Sequence, residues 1–246
     1  MGRLDGKVTI VTGAARGIGK AIAAACAREG SGVVLVDVDP GVEQAAAEVG
    51  GHALVADVTV KGSEDEAVAL AVARYGRVTS LVNNAGRVDE VDILTTSDEL
   101  WAQTMSLNLE APFRWCRAAI PAMLDAGGGA IVNVSSIEAT HVRPNHFPYV
   151  VSKSGLNCLT RGVAVDMGRR GIRCNSISPG SISTEMFENY VRGKPELLQK
   201  LVDMNYMGRV GTTEEIGNAA VYLLSDETGF LNGHELIVDG ARTVAT

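Results

Sequence analysis

A glycine-rich turn near the start of the chain joins a run of β-branched residues to a helical pattern. Residues 7–12 read KVTIVT, which is typical of a buried strand, and residues 20–28 have the pattern of a helix closed by Gly30. Between them lie Gly13, Gly17 and Gly19. Glycine lets a backbone approach a pyrophosphate, and a helix N-terminus offers free N–H groups. The spacing predicts a dinucleotide-binding unit, with a ligand-free glycine loop as the alternative.

Strand and helix patterns alternate along the rest of the chain. The strand patterns lie at 32–36, 52–56, 80–83, 130–134, 171–177 and 235–240, and the helical ones at 42–49, 63–75, 96–126, 148–169 and 212–225. This alternation predicts an α/β fold, a Rossmann-type doubly wound parallel sheet of about seven strands with helices on both faces. We expect residues 1–246 to form a single nucleotide-binding domain with a substrate flap at about 185–210. Ligands of such sheets bind at the carboxyl ends of the strands.

Composition and charge narrow the choice of ligand and compartment. The formal net charge is −7 without a basic tract, which argues against nucleic acid as a partner. We find no stretch apolar enough to cross a membrane and no secretory signal pattern. The four cysteines form no CxxC, so we expect reduced core residues of a cytoplasmic protein. The four histidines lack a spacing such as HExxH, and we expect no metal.

Asp37 ends the second strand pattern, about 20 residues beyond the glycines. A carboxylate there can accept hydrogen bonds from the adenosine ribose hydroxyls and would repel a 2′-phosphate. Because Val38 supplies no cation, we expect NAD rather than NADP. Arg16 argues mildly the other way, since it lies close enough to the glycine turn to reach a phosphate. The alternative for Asp37 is a turn residue before Asp39 and Pro40.

Tyr149 and Lys153 form the pattern that carries chemistry. Residues four apart share one face of a helix, and an ammonium beside a phenol favours the phenolate. We therefore expect the pKa of Tyr149 to be lowered towards working pH, which suits proton transfer to or from an alcohol oxygen. Ser136 follows the strand pattern 130–134, and its hydroxyl can donate to the same oxygen. An ordinary exposed helical pair is the alternative.

Other polar or small residues follow strand patterns or interrupt a helix. Asn108 lies four residues before Pro112, which should loosen the helix around it. A kinked core helix without chemistry is the alternative there. The remaining strand ends carry these candidates: Asp57, Val58, Asn83, Asn84, Ala85, Gly86, Pro179, Gly180, Ile182 and Thr184.

Together these motifs resemble the short-chain dehydrogenase/reductase family over nearly the whole chain. The resemblance is carried by motifs in the family's order: Thr12-Gly13-x-x-x-Gly17-x-Gly19, Asp57-Val58, Asn83-Asn84-Ala85-Gly86, Asn108, Ser136, Tyr149-x-x-x-Lys153 and Pro179-Gly180. It implies that Tyr149 transfers the proton, Lys153 lowers its pKa and binds the nicotinamide ribose, Ser136 holds the substrate oxygen, and Asn108 keeps a water that links Lys153 to solvent.

The resemblance also implies cofactor contacts and an assembly. The glycine turn with Arg16 and Ile18 would hold the pyrophosphate, Asp57 and Val58 would meet the adenine, and Asn84, Ala85 and Gly86 would border the ribose and nicotinamide. The segment from Pro179 and Gly180 to Ile182 and Thr184 would hold the carboxamide. The family implies a homotetramer, or a homodimer, built on the helices around Asn108 and Tyr149 and on the last helix and strand.

The substrate is a small alcohol or ketone that the motifs do not specify. Glu138 and His146 make the segment between Ser136 and Tyr149 unusually polar, so we expect a sugar- or polyol-like substrate. A solvated loop or a subunit contact is the alternative. Met186 belongs to the apolar stripe of the flap. Two other functions stay open: an NADPH-dependent 3-oxoacyl-thioester reductase, and a non-catalytic dinucleotide sensor.

Overall fold

The fold is built on a parallel sheet whose strands follow the predicted pattern. The computed structural model describes residues 2–245. Seven strands form the main sheet: β1 Val8–Thr12, β2 Gly32–Asp37, β3 His52–Val55, β4 Ser80–Asn83, β5 Gly129–Val134, β6 Ile172–Pro179 and β9 Glu235–Val238. Two short strands, β7 Ile182–Ser183 and β8 Gly211–Thr212, pair with each other.

Helices connect these strands. Their bounds are α1 Gly17–Arg28, α2 Val42–Val49, α3 Ser63–Tyr75, α4 Asp98–Met105, α5 Ala111–Asp125, α6 Phe147–Met167, α7 Glu185–Val191, α8 Pro195–Asp203 and α9 Thr213–Leu224. A π-helical turn, Ser106–Glu110, joins α4 to α5. None of the helices within residues 2–245 is long and apolar enough to span a membrane.

The order of the strands places a crevice at one edge of the sheet. The order is β3-β2-β1-β4-β5-β6-β9, and all pairs are parallel. The chain runs outwards in one direction from β1 to β3 and then in the other from β4 to β9. Connections therefore diverge between β1 and β4, which is where open α/β sheets bind ligands beyond the carboxyl ends. The predicted fold class is confirmed.

Alternation along the strands divides the interior into two cores. Side chains such as Val11, Leu35 and Val132 pack with α1, α2 and α9 on one face. Their neighbours Ile10 and Ile131 pack with α3 and α5 on the other face. Each strand is thus apolar on both sides, which explains the continuous runs of Val, Ile and Leu in the sequence.

Polar residues inside the sheet are paired with one another. The amide of Asn83 donates to Asn133 on the neighbouring strand over 2.8 Å, and Asn133 donates to Thr160 of α6 over 2.9 Å. These side chains brace β4 against β5 and α6. A buried amide needs such partners, since leaving one unpaired costs about 1–3 kcal/mol.

Local details confirm some expectations and correct others. Helices α2 and α3 have the predicted bounds, and Ser97 caps α4 by accepting from the N–H of Leu100. Ser63, whose residue type and position suggest a cap for α3, does not cap it, because its hydroxyl donates to the carbonyl of Val60 and Gly62 precedes the helix. Three cysteines are buried as expected, whereas Cys158 is exposed because it lies on the outer side of α6.

Candidate active site

The glycine turn at the end of β1 has the conformation that its sequence requires. Gly13 and Gly17 adopt φ values of 64° and 58°, in the left-handed region that other residues avoid. Helix α1 begins at Gly17, and no side chain caps its first N–H groups. Unpaired N–H groups and the positive end of the helix dipole meet at this point. The turn can therefore hold an anionic group such as a pyrophosphate.

Asn84 locks this turn to the end of β4. Its Nδ2 donates to the carbonyls of Thr12 and Gly13 over 3.0 and 2.9 Å. The hydroxyl of Thr12 accepts from the backbone N–H groups of Asn84 and Ala85. Asn84 therefore braces the end of β1 in addition to the cofactor role that the resemblance implies. Thr12, at the last position of β1, takes part in the same bracing, which its place in the glycine motif did not reveal.

Asp37 lies against the glycine turn, as expected for a ribose-binding carboxylate. Its Oδ2 accepts from the N–H of Ala15 over 2.9 Å, and its Oδ1 accepts from the N–H of Asp39 over 3.0 Å. These bonds fix the carboxylate at the end of β2. Arg16 is engaged elsewhere, because its guanidinium lies 2.7 Å from Asp39 and 3.7 Å from Glu185. Val38 is 67 % exposed and leaves the position open.

Asp57 and Val58 follow β3 in a fixed turn. Asp57 accepts from the N–H and the hydroxyl of Thr59. Val58 is buried, and its carbonyl accepts from Arg114 and from the indole of Trp115. Arg114 is a supporting residue that the sequence analysis did not find, since a buried arginine on a helix carries no distinctive pattern.

The segment after β6 forms the facing wall of the crevice. Pro179 ends β6, and Gly180 lies so near Asp239 that a Cβ on it would be 2.9 Å from that backbone. Ile182 is buried in β7, and Thr184 caps α7 by accepting from the N–H of Phe187. A Cβ placed on Gly17 would lie 3.7 Å from the Thr184 methyl.

Thr184 thus faces the glycine turn at Gly17, which has no side chain to fill the space between them. The expected cofactor residues Ile18 and Gly19 belong to the same turn. Met186, two residues further on, is 59 % exposed on α7. Helices α7 and α8 occupy the region expected to be a flap.

Asn108 lies within the π-helical turn, fully buried. The expected loosening of the helix is confirmed, because Pro112 has no N–H to donate to the carbonyl of Asn108. The side chain accepts from the N–H of Arg87 and donates to its carbonyl. It also donates to the hydroxyl of Ser152 over 3.1 Å. Ser152 was not among the predicted residues, although it lies one turn beyond Tyr149.

Tyr149, Lys153 and Ser136 come together at the end of β5. Buried Lys153 donates to the carbonyl of Val134 over 2.8 Å, and its Nζ lies 5.7 Å from the centre of the Tyr149 ring. A Cβ on Gly86 would lie 3.3 Å from the Asn108 Oδ1 and 3.4 Å from the Lys153 Nζ. Asn108 and Lys153 therefore both lie next to Gly86.

The expected lowering of the tyrosine pKa is wrong. Burial raises the pKa of Tyr149 to about 12, and a hydrogen bond from Ser136 only partly opposes it. Burial also lowers the pKa of Lys153 to about 8. Both shifts have one cause, since a dry environment disfavours every charged form. An opposite charge brought next to the phenol would favour the phenolate.

The polar segment between Ser136 and Tyr149 is folded onto itself. Glu138 accepts from the Nδ1 of His146 over 2.7 Å and pairs with the Nε of Arg143 at 3.1 Å. The ring of His146 meets the ring of Tyr149 edge-on, with the centres 6.3 Å apart. Glu138 and His146, predicted as substrate contacts, are therefore partners of each other. Arg143, another polar residue of the same segment, completes this cluster.

The residues of the crevice fit a dinucleotide. An uncapped helix N-terminus suits a pyrophosphate, and a fixed carboxylate suits ribose hydroxyls. Gly86 has no side chain of its own that would crowd the polar groups of Asn108 and Lys153. A separate surface cavity of about 380 Å³ lies between α5 and the end of α6 and contains none of these residues.

The chain is similar to known proteins over nearly its full length. A family model described as enoyl-(acyl carrier protein) reductase matches residues 13–242. The chain is 39% identical to D-threitol dehydrogenase of Mycolicibacterium smegmatis, over 98% of this chain and 95% of that protein. It is 38% identical to galactitol 2-dehydrogenase (L-tagatose-forming) of Cereibacter sphaeroides, over 98% and 97%. A crystal structure of a candidate short-chain alcohol dehydrogenase from Sinorhizobium meliloti 1021 superposes with a TM-score of 0.93 at 32% identity, covering 99% of this chain and 98% of that one.

Proposed function

This chain belongs to the short-chain dehydrogenase/reductase family, and from that premise we propose that it interconverts a secondary alcohol and a ketone by hydride transfer, with NAD as the cofactor. The observation that carries the proposal is the meeting of Tyr149, Lys153 and Ser136 at the sheet edge that also holds the glycine turn. The reaction converts alcohol and NAD into ketone, NADH and a proton.

In this mechanism the protein moves a proton and positions the substrate. Ser136 donates a hydrogen bond to the substrate oxygen, and Tyr149 accepts the hydroxyl proton in oxidation or returns it in reduction. Lys153 supplies positive charge near the phenol. The side-chain amide of Asn108 hydrogen-bonds to both backbone groups of Arg87. A bound nicotinamide would supply the hydride acceptor in oxidation and the hydride donor in reduction, and its oxidised form would bring a positive charge that favours the phenolate.

We assign the cofactor-binding role to the residues that line the crevice. The turn from Gly13 to Gly19 would hold the pyrophosphate, Asp37 the adenosine ribose, and Thr184 with Ile182 the carboxamide. Preference for NAD is supported by the fixed Asp37 carboxylate, by exposed Val38 beside it, and by the engagement of Arg16 with Asp39. Asp57, Val58, Asn84, Ala85, Gly86, Pro179 and Gly180 would border the same cofactor.

A polyol or a similar small alcohol is the substrate class we propose. Two relatives are named for threitol and galactitol, and cyclopentanol dehydrogenase of Comamonas sp. is 37% identical over 99% of both chains. Exposed Met186 on α7 and the segment 185–210 would cover the substrate as a flap. A 3-oxoacyl-thioester reductase using NADPH is the alternative, and Asp37 argues against it.

The assembly and the compartment are further parts of the proposal. We propose a homotetramer, with a homodimer as the alternative, in which α5, α6 and α9 form the contacts. The free thiols of Cys26, Cys116 and Cys174 support a reducing, cytoplasmic location.

The purified protein should reduce NAD in the presence of a polyol. The measurement is nucleotide absorbance with NAD and NADP offered separately, against threitol, galactitol, other sugar alcohols, cyclic alcohols, hydroxysteroids and hydroxy acids. Turnover of polyols with NAD supports the proposal. Turnover only of 3-oxoacyl thioesters with NADPH would replace it with the reductase. Tight NADH binding without turnover of any alcohol or ketone would favour a dinucleotide sensor.

Replacing Asp37 should weaken the preference for NAD. In Asp37→Ala we expect the kcat/KM for NAD to fall about tenfold, because one charge-assisted hydrogen bond contributes roughly 1.5–3 kcal/mol. Adding Val38→Arg should make NADP the better substrate, since the exposed position can hold a cation next to the 2′-phosphate. Asp65→Ala removes the same charge from an exposed site on α3 and should change neither value. Unchanged selectivity in the double variant would contradict the role of Asp37.

A further inference from the structure

Three charged or polar side chains close into a triangle behind Tyr149. Glu138, Arg143 and His146 all come from the segment between Ser136 and Tyr149. Their side chains are 12 %, 28 % and 7 % exposed, so the triangle is largely shielded from water. Each side of the triangle is a contact of 2.7 to 3.1 Å. Both carboxylate oxygens of Glu138 are thus occupied within the protein.

Glu138 and Arg143 both contact the ring of His146. A carboxylate only accepts, so the Nδ1 of His146 donates to Glu138 over 2.7 Å. The Nη2 of Arg143 lies 2.9 Å from the Nε2 and 3.4 Å from the Nδ1 of the same ring, so the guanidinium approaches both nitrogens. Glu138 and Arg143 carry opposite charges.

The triangle is attached to both catalytic residues. The N–H of Glu138 donates to the hydroxyl of Ser136 over 3.1 Å. His146 directly precedes α6, its carbonyl accepts from Val150, and its ring lies against Tyr149. Ser154 of α6 donates to the carbonyl of Ala139 over 2.7 Å, which ties the turn after Ser136 to the same helix. The side-chain contacts among Glu138, Arg143 and His146 thus join the turn after Ser136 to the residue that precedes α6 and Tyr149.

We propose that Glu138 and Arg143 are positioning residues that act through His146 to hold Tyr149 beside Ser136 and that present a balanced ion pair to its phenol. This inference rests on the proposed function, in which Tyr149 moves the proton. It gives the polar segment a task other than binding substrate hydroxyls, because its acceptors are already paired.

The two charges act on the phenol in opposite directions. Glu138 raises the pKa of Tyr149 and Arg143 lowers it, against a background set by burial. Other groups face the triangle or the phenol from neighbouring elements and stay the same in every variant below: Lys153 and Ser136, Glu90 at 4.0 Å from His146, Tyr190 on α7 and Arg242.

The test is the pH profile of kcat for alcohol oxidation in charge variants. Oxidation needs the phenolate, so activity rises as pH passes the apparent pKa of Tyr149. Arg143→Met should move this limb to higher pH and Glu138→Gln to lower pH, each by about one unit for a charge several ångströms away at an effective dielectric constant near 20. The double variant should return close to wild type.

The opposite signs separate this proposal from a loss of structure. Both single changes break the same ion pair, so a merely structural role would move both profiles alike. Two limbs that move the same way, or that do not move, would overturn the proposal. Arg143→Lys keeps the positive charge, so the rising part of its pH profile should stay at the wild-type pH while kcat falls. This variant preserves the test if Arg143→Met does not fold. Glu227→Gln, in the exposed pair with Arg3, is the matched control.

A second readout distinguishes failure of this inference from failure of the proposed function. Phenolate formation by Tyr149 is followed by ultraviolet difference titration of each variant against the same variant carrying Tyr149→Phe. The pKa of Tyr149 should be lowest in Glu138→Gln, intermediate in the wild type and highest in Arg143→Met, even if no alcohol is oxidised. Identical titrations in all three proteins would refute the charge balance whatever the substrate proves to be.

Discussion

Tyr149→Phe should lower kcat by about 10²- to 10⁴-fold, the range that a positioned acid or base contributes. The phenol is the group at the end of β5 that can both accept and return the proton of an alcohol. Phenylalanine keeps the ring against His146, so the change removes the oxygen and leaves the packing. Because the ring contributes to the pocket wall and the hydroxyl does not hold the pyrophosphate, we expect the Kd for NADH to change less than about threefold.

The measurement is steady-state oxidation of the best alcohol together with fluorescence titration by NADH. Tyr75→Phe is the matched control, since it also removes one tyrosine hydroxyl, bonded to the carbonyl of Val33 far from the site. The control should retain wild-type kcat. A Tyr149→Phe enzyme that keeps more than about a third of the wild-type kcat would exclude the phenol as the proton-transfer group and leave Ser136 and Lys153 as candidates.

The predicted sign of the Tyr149 pKa shift is wrong because burial outweighs the nearby charges and hydrogen bond. An ammonium close to a phenol favours the phenolate, which is the effect that the sequence pattern predicts. The ammonium of Lys153 is itself buried and donates to the carbonyl of Val134. Burial of an individual atom depends on how β5, α6 and the intervening segment pack, and four residues of sequence do not contain that information.

Elements with strong local signals were predictable. The glycines with positive φ, the bounds of α2 and α3, and the π-helical turn follow from backbone chemistry within a few residues. The placement of the candidate residues at one edge of the sheet was also predictable, because parallel strands share their direction. Long-range pairings were not predictable, such as Arg16 with Asp39 and Glu185, or Arg114 with the carbonyl of Val58. A charged residue's sequence neighbours do not determine which partner it finds.

Glu138 illustrates the same limit for function. Its residue type predicted a polar pocket, and polarity is present, yet both oxygens face Arg143 and His146. A carboxylate offered to a sugar and a carboxylate that completes an internal ion pair have the same sequence signature. They differ in whether the partner comes from the chain, which only the fold reveals.

Gly19→Ala should have the second large effect, on both stability and cofactor affinity. Gly19 lies in the first turn of α1, where its backbone is helical, so the constraint is space rather than φ. A Cβ there would be 2.1 Å from the carbonyl oxygen of Gly13 and 2.5 Å from the Nδ2 of Asn84. Both contacts are too short, so the methyl group must push α1 away from Gly13 and from the Asn84 amide that is bonded to it.

We expect the free energy of unfolding to fall by about 1–3 kcal/mol, as for other overpacked sites. The Kd for NADH should rise about 100-fold, which corresponds to roughly one or two charge-assisted hydrogen bonds lost from the displaced turn. Urea unfolding and NADH titration measure the two quantities. A methyl at this position that alters neither would mean that the turn can move away without consequence, and the pyrophosphate assignment would lose its support.

Gly162→Ala provides the matched control, because it adds the same methyl to a helical glycine with nothing within 4 Å of the new atom. Alanine is favoured over glycine in a helix by about 0.5–1 kcal/mol, so this variant should be more stable than wild type and bind NADH equally. Gly162 lies on α6, where we expect subunit contacts, and light scattering must therefore show the same mass for both proteins. The opposite signs of the two stability changes separate the close approach at Gly19 from the general effect of replacing glycine. The loss of NADH affinity in Gly19→Ala alone would tie dinucleotide binding to the point where β1, α1 and the end of β4 meet.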